Sequence, residues 1–307
     1  MKIAIDSRKQ DEFNESLPMS SRYLANSIAS GSVGLGLREV HINQIIHQEH
    51  PVPWFELLVD NWFARGGFVN AALIGIAERY PLTLHGVGLS LGSVNPLNWD
   101  YLAKVKYVLE TTNACWYSEH CSFSSFANQQ VPDLLPIPYT EEALNHLASR
   151  ISQVQDYLQQ PILIENASSY IQCSSNEMSE PTFLKQLVEL TGCYLLLDIN
   201  NVYVSSQNHG WCAHRYLEEI PNDKVREIHL GGYYQHHSVL IDSHSCAPSD
   251  SVWALYQYYL ANFRNDVPTL IEWDNDLPTF SALVAIQQKA LGMIKQAQSK
   301  VEPKICD

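Results

Sequence analysis

A chain of 307 residues, 46% hydrophobic and 17% charged, carries enough apolar material for a packed core, which excludes a mainly disordered or fibrous protein. Lys and Arg number 19 against 33 Asp and Glu, and the formal charge of −14 repels phosphate backbones and anionic lipid, so neither nucleic acid nor membrane is expected as a partner. The seven cysteines (Cys115, Cys121, Cys173, Cys193, Cys212, Cys246 and Cys306) are scattered and form no C-x-x-C pair, which argues against a disulfide framework or a thiolate zinc site and fits a reducing compartment.

The opening MKIAIDSRKQDEF lacks the apolar stretch of a signal peptide, and no run of about 18 apolar residues follows, so a soluble cytoplasmic protein is predicted. Residues 1–30 carry scattered charge without apolar period and read as a loosely ordered leader. From Ser32 onward, short apolar runs alternate with stretches of helical spacing. Strands are predicted over 33–37, 54–59, 82–84, 115–118, 162–164, 194–197, 225–228 and 269–271. Helices are predicted over 40–48, 70–79, 101–111, 141–158, 182–190 and 252–263, with Gly192 as a helix C-cap. Runs this apolar suit strands buried on both faces of a parallel sheet, and eight βα units in about 270 residues match a closed (β/α)8 TIM barrel over 31–300, followed by a polar tail over 301–307. An open doubly wound sheet is the competing α/β architecture. Gly34-Leu35-Gly36 and Gly86-Val87-Gly88 complete no G-x-G-x-x-G fingerprint and read as tight βα turns.

The polar residues choose between the two architectures. Six of the eight runs lead into a metal-ligand residue type: His85, Glu119 with His120, Glu165 with Asn166, Asp198, His229 and Glu272. The second run contributes Glu56 and Asp60, and the segment after the seventh adds Asp242 and His244. In a barrel these side chains converge on one rim, whereas an open sheet spreads them along an edge. Convergence brings Glu119, Glu165, Asp198, Asp242 and Glu272 into one partly buried space. Two carboxylates about 5 Å apart repel by roughly 3 kcal/mol at an effective dielectric near 20. Summed over several pairs, that rivals the stability of a domain unless protons or cations neutralise it. With imidazoles interleaved, two or three divalent ions are the expected counter-charge, and mixed imidazole and carboxylate ligands suit iron, manganese or zinc better than calcium or magnesium. Such a site supports hydrolysis or isomerisation by activated water, or oxygen chemistry at iron. His41, His47, His50, His146, His209, His214, His236 and His237 read as surface or loop residues, and Tyr233-Tyr234 and the stretch 256–259 as packing or cleft lining.

Several segments together carry a resemblance: VGLGLR at 33–38, WFELLVDN, LTLHGVGLSLGS, YSEHCSF, LLPIPYTEEAL, PILIENASSY, LLLDINNVYVS, REIHLGG and TLIEWDND. They resemble the multinuclear non-heme iron-dependent oxidative enzymes, long described as domain of unknown function 692 and including the oxidase of methanobactin biosynthesis, over about 33–285. The resemblance implies a xylose-isomerase-like TIM barrel holding two or three iron ions in mixed ferrous and ferric states. It implies dioxygen as co-substrate and oxidation of a cysteine, or another residue, of a ribosomally made precursor peptide, which a small partner protein recruits by its leader. Carried over by position, the metal ligands are His85, Glu119, Glu165, Asp198, His229, Asp242, His244 and Glu272, with Asn201 as a further ligand or close neighbour. Glu119 and Asp242 are the implied bridging acids, and with Asp60 they form the expected catalytic set. The chain departs from the family where I-H-L-A-G-H is common: here Ile228-His229-Leu230-Gly231-Gly232-Tyr233 lacks the last imidazole. Asp60 stands where many relatives carry Glu, and the leader has no counterpart. The alternatives are a metal-dependent hydrolase or isomerase (sugar isomerase-like or endonuclease-like) on the same barrel, and a metal-holding scaffold that only binds peptide.

Overall fold

The computed structural model describes residues 27–63, 67–126 and 129–301. Most of the expected leader, through residue 26, and the tail from 302, including Cys306, lie outside the described residues. Twelve strands are present among those described: β1 (Val33–Gly36), β2 (Phe55–Leu58), β3 (Leu82–His85), β4 (Tyr117–His120), β5 (Ser122–Phe126), β6 (Gln129–Pro136), β7 (Leu163–Glu165), β8 (Tyr194–Asp198), β9 (Val225–Leu230), β10 (Tyr233–His236), β11 (Val239–Asp242) and β12 (Thr269–Ile271). Eight of them, in the order β1-β12-β9-β8-β7-β4-β3-β2, pair in parallel and close on themselves. This is the barrel, and the open sheet is ruled out.

Nine α-helices among the described residues run outside the strands: α1 (Ile42–His47), α2 (Gly67–Ala77), α3 (Trp99–Thr112), α4 (Glu141–Leu158), α5 (Glu180–Thr191), α6 (Ile199–His209), α7 (Ala213–Glu219), α8 (Asp250–Asn262) and α9 (Phe280–Val301). Five of them start at side-chain caps, with Asn98, Thr140, Ser179, Asp198 and Ser249 each accepting a backbone N–H of the first turn. Gly192 ends α5 in the left-handed region at φ 69°, as its position predicts. The core fills the barrel and the layer between barrel and helices, where Trp54, Phe55, Tyr117, Phe183, Tyr256 and Tyr259 are fully buried. No helix among the described residues is long and apolar enough to cross a membrane.

Three expectations shift. Strand β4 covers Tyr117–His120 rather than 115–118, and His85, Glu165, Asp198 and His229 likewise lie inside their strands rather than after them. Polar type suggested strand ends there, but side chains aimed into the barrel are compatible with continued pairing: His120 lies opposite Glu165, and Asp198 opposite His229. The hairpins β5–β6 and β10–β11 were not read from the sequence, because neither carries a two-residue turn signal. Gly34 and Gly36 sit within β1 rather than in a turn. A Cβ on Gly34 would come within 2.4 Å of the Trp54 ring, so close approach of backbone to indole is the reason for glycine there. His41 is buried at 5% exposure beside Phe280, not a surface residue.

Candidate metal centre

Parity along the strands selects what enters the barrel mouth. In β4, Ser118 and His120 face inward. Ser118 Oγ pairs with His85 Nδ1 at 2.8 Å, and His120 Nδ1 with the Gly86 carbonyl at 3.1 Å. With each Nδ1 engaged behind, each Nε2 is directed at the same atom, Glu165 Oε2, at 3.3 Å from His85 and 3.1 Å from His120. Orienting partners of this kind fix the ring and the nitrogen it offers to an ion. Burial lowers the His85 imidazole, reinforced by the neighbouring His120 charge. Burial also works against protonated His120, but Glu165 and Glu119 overcome it and hold that ring at about 9. Glu165 itself is pushed by burial up to about 7, against the attraction of His120.

Glu165 belongs to a second group with Asp198, His229 and Glu272, whose ligand atoms all lie within 4.8 Å of one another. Asp198 caps α6: one oxygen accepts the Asn201 N–H at 2.6 Å, while Oδ2 is left free. Burial raises the Asp198 carboxyl well above its ordinary value. Glu272 goes the other way, since His244 and His229 outweigh its burial. Asn201 donates to Glu165 Oε1 at 3.4 Å and to the Asn166 carbonyl at 3.1 Å, leaving its own Oδ1 without a partner.

At the rim, His244 Nε2 lies 2.8 Å from Asp242 and 3.8 Å from Asp198, and its Nδ1 lies 3.4 Å from Glu272 and 3.2 Å from Asp274. Asn200 donates to Asp242 at 2.8 Å. Deeper in the barrel, His229 Nε2 faces Glu56 at 3.4 Å and Glu227 at 3.8 Å, while its Nδ1 faces Glu272 at 2.9 Å. Glu227 is held by the Trp116 indole N–H at 2.6 Å, and burial lifts Glu56 to about 7. The cleft above these groups has a volume of about 650 Å³ and is bounded by Asp60, Tyr170, Asp133 and Asn275.

The structure therefore brings together His85, Glu165, Asp198, Asn201, His229, Asp242, His244 and Glu272. Glu119 is not brought into this group. Its Oε1 accepts the Leu89 N–H at 2.9 Å and the Tyr117 hydroxyl at 3.2 Å, and its Oε2 the His120 N–H at 2.9 Å. Opposite parity turns it away from the barrel axis, so it braces the β3–α3 loop. Asp60 lines the cleft, held by Tyr101 at 2.9 Å and the Val87 N–H at 3.1 Å, outside the ligand groups found among the described residues. His120 stands among the strand-end residues read from the sequence but not in the ligand set the resemblance implies, and sequence reasoning left out Glu227 and Asp274. The i, i+2 spacing to Ser118 and His229 could have favoured His120 over Glu119 and found Glu227. Tyr233, in the place of the family's imidazole, packs against Tyr203 in a tilted pair at 5.4 Å and is not among the residues that line the cleft.

A family profile for the RiPP precursor modification enzymes MbnB, TglH and ChrH matches residues 32–295. The chain belongs to this family. Among similar proteins, a UPF0276 protein of Acaryochloris marina is 45% identical over 257 residues, covering 84% of this chain and 92% of that protein. A UPF0276 protein of Psychromonas ingrahamii is 41% identical over 274 residues, covering 88% and 96%. Among solved structures, endonuclease IV from Thermus thermophilus has a TM-score of 0.57 at 13% identity, covering 86% of this chain and 99% of its own. An L-ribulose 3-epimerase has 0.57 at 10%, covering 91% and 100%. These two show the fold alone: the family chain is a xylose-isomerase-like TIM barrel.

Where the family pattern has Ala, Gly231 admits His244: a Cβ there would lie 2.3 Å from the imidazole Cδ2. Gly231→Ala is expected to displace His244 and to destabilise the fold by about 1–3 kcal/mol, the usual cost of overpacking. Urea unfolding measures this, and an unchanged midpoint would mean that His244 moves freely.

Proposed function

We propose that this family member is an iron-dependent oxidase that uses dioxygen to modify a cysteine, or another residue, of a ribosomally made precursor peptide delivered by a small leader-binding partner protein. The observation that carries the reading is the pair of ligand groups sharing Glu165, set in the mouth of a barrel whose family modifies such peptides.

The residues fit a metal. Glu165 Oε2, Asp198 Oδ2 and Asn201 Oδ1 are buried oxygens without a hydrogen-bond partner. Each such group costs about 1–3 kcal/mol when left unsatisfied. Three of them on neighbouring residues, with the His85 and His120 Nε2 atoms aimed at Glu165, are better explained by cations than by packing. His85, His120 and Glu165 would hold one ion, and Glu165, Asp198, His229 and Glu272 a second, while His244 with Asp242 offers donors at the rim. Imidazole mixed with carboxylate suits iron, which when bound supplies one-electron chemistry with dioxygen.

The chain's own residues position the reaction. The Tyr170 hydroxyl accepts the Asp242 N–H at 3.1 Å and holds that side of the cleft. Asp60 and Asp242 both line the cleft and are proposed to orient the peptide. Glu119 acts through its neighbours as a positioning residue.

The deciding experiment is purification under nitrogen without added metal, followed by elemental mass spectrometry and Mössbauer spectroscopy. Two or three irons per chain, partly ferrous, support the reading. Stoichiometric zinc or manganese after iron-supplemented growth overturns it in favour of hydrolysis or isomerisation. Bound metal should also stabilise the fold: a hundredfold excess over Kd contributes about 2.7 kcal/mol. Chelation is therefore expected to lower Tm by roughly 5–10 °C for a domain of this size, as calorimetry would show.

A further inference from the structure

A second cavity, of about 490 Å³, adjoins the metal cleft. The segment 168–171 is the shared wall: Ser168 and Tyr170 line the cleft, and Ser169 and Ile171 line the cavity. Ile137, Met178 and Trp211 supply apolar and aromatic surface, and Tyr139, Tyr216 and Glu180 supply polar groups. Glu180 stands at the start of α5, and burial pushes its carboxyl up to about 7 against the pull of the two tyrosine hydroxyls that face it. Tyr216 is only 5% exposed, and its hydroxyl lies against that carboxyl without completing a hydrogen bond of ordinary geometry. At the rim, Arg215 is already paired with Glu219 at 2.7 Å, and His209 Nε2 with Ser169 Oγ at 3.1 Å. The cavity thus combines apolar and aromatic walls with a carboxyl that has no paired cation among the described residues and two tyrosine hydroxyls facing it.

We infer that this cavity receives a lysine side chain, or an equivalent primary alkylammonium, of the precursor peptide. A four-carbon stem suits the walls, and an ammonium brings three donors, enough for the Glu180 carboxyl and the Tyr216 oxygen together. Tyr139 and the stacked pair Trp211–Tyr216 line the same cavity, and aromatic rings attract a cation that reaches an open face. Because one short segment, 168–171, separates the two spaces, a peptide can place one residue in the cleft and a lysine a few residues away in the cavity, at about 3.3–3.6 Å per residue. The owner of the ammonium rests on the peptide-modifying reading; the cavity's preference for an alkylammonium does not.

The test uses n-hexylammonium and the neutral n-hexanol as probes of the purified full chain, followed by saturation-transfer NMR. The ammonium is expected to bind at least tenfold more tightly than the alcohol. In Glu180→Gln this preference should fall to within about twofold while bound metal is unchanged. Equal affinity of the parent for the two probes overturns the inference without reference to any variant. A preference that survives Glu180→Gln also overturns it, because the ammonium is then held elsewhere, such as at the acidic cleft. If the preference stands but no peptide is modified, the peptide reading alone fails. If a peptide is modified while hexanol binds as tightly as hexylammonium, the cavity assignment alone fails.

Discussion

Glu165→Ala is expected to leave the protein with less than a tenth of the parent's bound metal after dialysis, and with no detectable turnover. The reason is position rather than charge count. Glu165 is the one residue common to the His85–His120 group and to the Asp198–His229–Glu272 group. Its Oε1 is steadied by Asn201, and its Oε2 faces both imidazoles. Removing an outer partner of a ligand typically costs about 10–100-fold in metal affinity. Removing a shared ligand should exceed that at both sites at once. The fold should survive, because metal-free Glu165→Ala also removes one member of a buried carboxylate cluster. Elemental analysis with circular dichroism separates the outcomes. Full metal content in a folded Glu165→Ala protein would show that the ions are held elsewhere.

Much of this arrangement is written in the sequence as types at intervals. Repeated apolar runs ending in His, Asp or Glu are sufficient for a closed barrel, because only closure gives so many polar ends a common neighbour. Glycine and capping residues mark helix limits, as Gly192 and Ser179 do for α5. What is less legible is parity within a strand. In Tyr117-Ser118-Glu119-His120 the two ligand types are adjacent, so one must face the barrel axis and the other must not. A one-residue choice decides which, and nothing local in YSEH makes it; the register with Glu165 does. Glu227 is similarly obscure, being buried two residues before His229 in a strand whose Arg226 is exposed. The Glu180 cavity is the least legible of all, since its polar groups come from the β6–α4 loop, α5 and α7, which share no motif.

The parity argument makes an opposed pair of predictions at adjacent positions. His120→Ala should lose the ion of the first group, lowering its affinity by more than about 100-fold, while the ion held by Asp198, His229 and Glu272 is retained. Iron content should then fall by one ion per chain, and one Mössbauer component should disappear. Glu119→Gln should instead keep its full metal complement. The amide is nearly isosteric, and its oxygen can still accept the Leu89 N–H and the Tyr117 hydroxyl that now meet Oε1. Its NH2 would, however, oppose the His120 N–H that now donates to Oε2, a mismatch of about 1–3 kcal/mol felt in stability. Glu119→Gln is therefore expected to unfold at lower urea with its metal bound, and His120→Ala to stay folded with an ion missing. If Glu119→Gln lost an ion and His120→Ala kept both, the strand would face the centre with its other side, and the residue implied by the family resemblance would be the ligand after all.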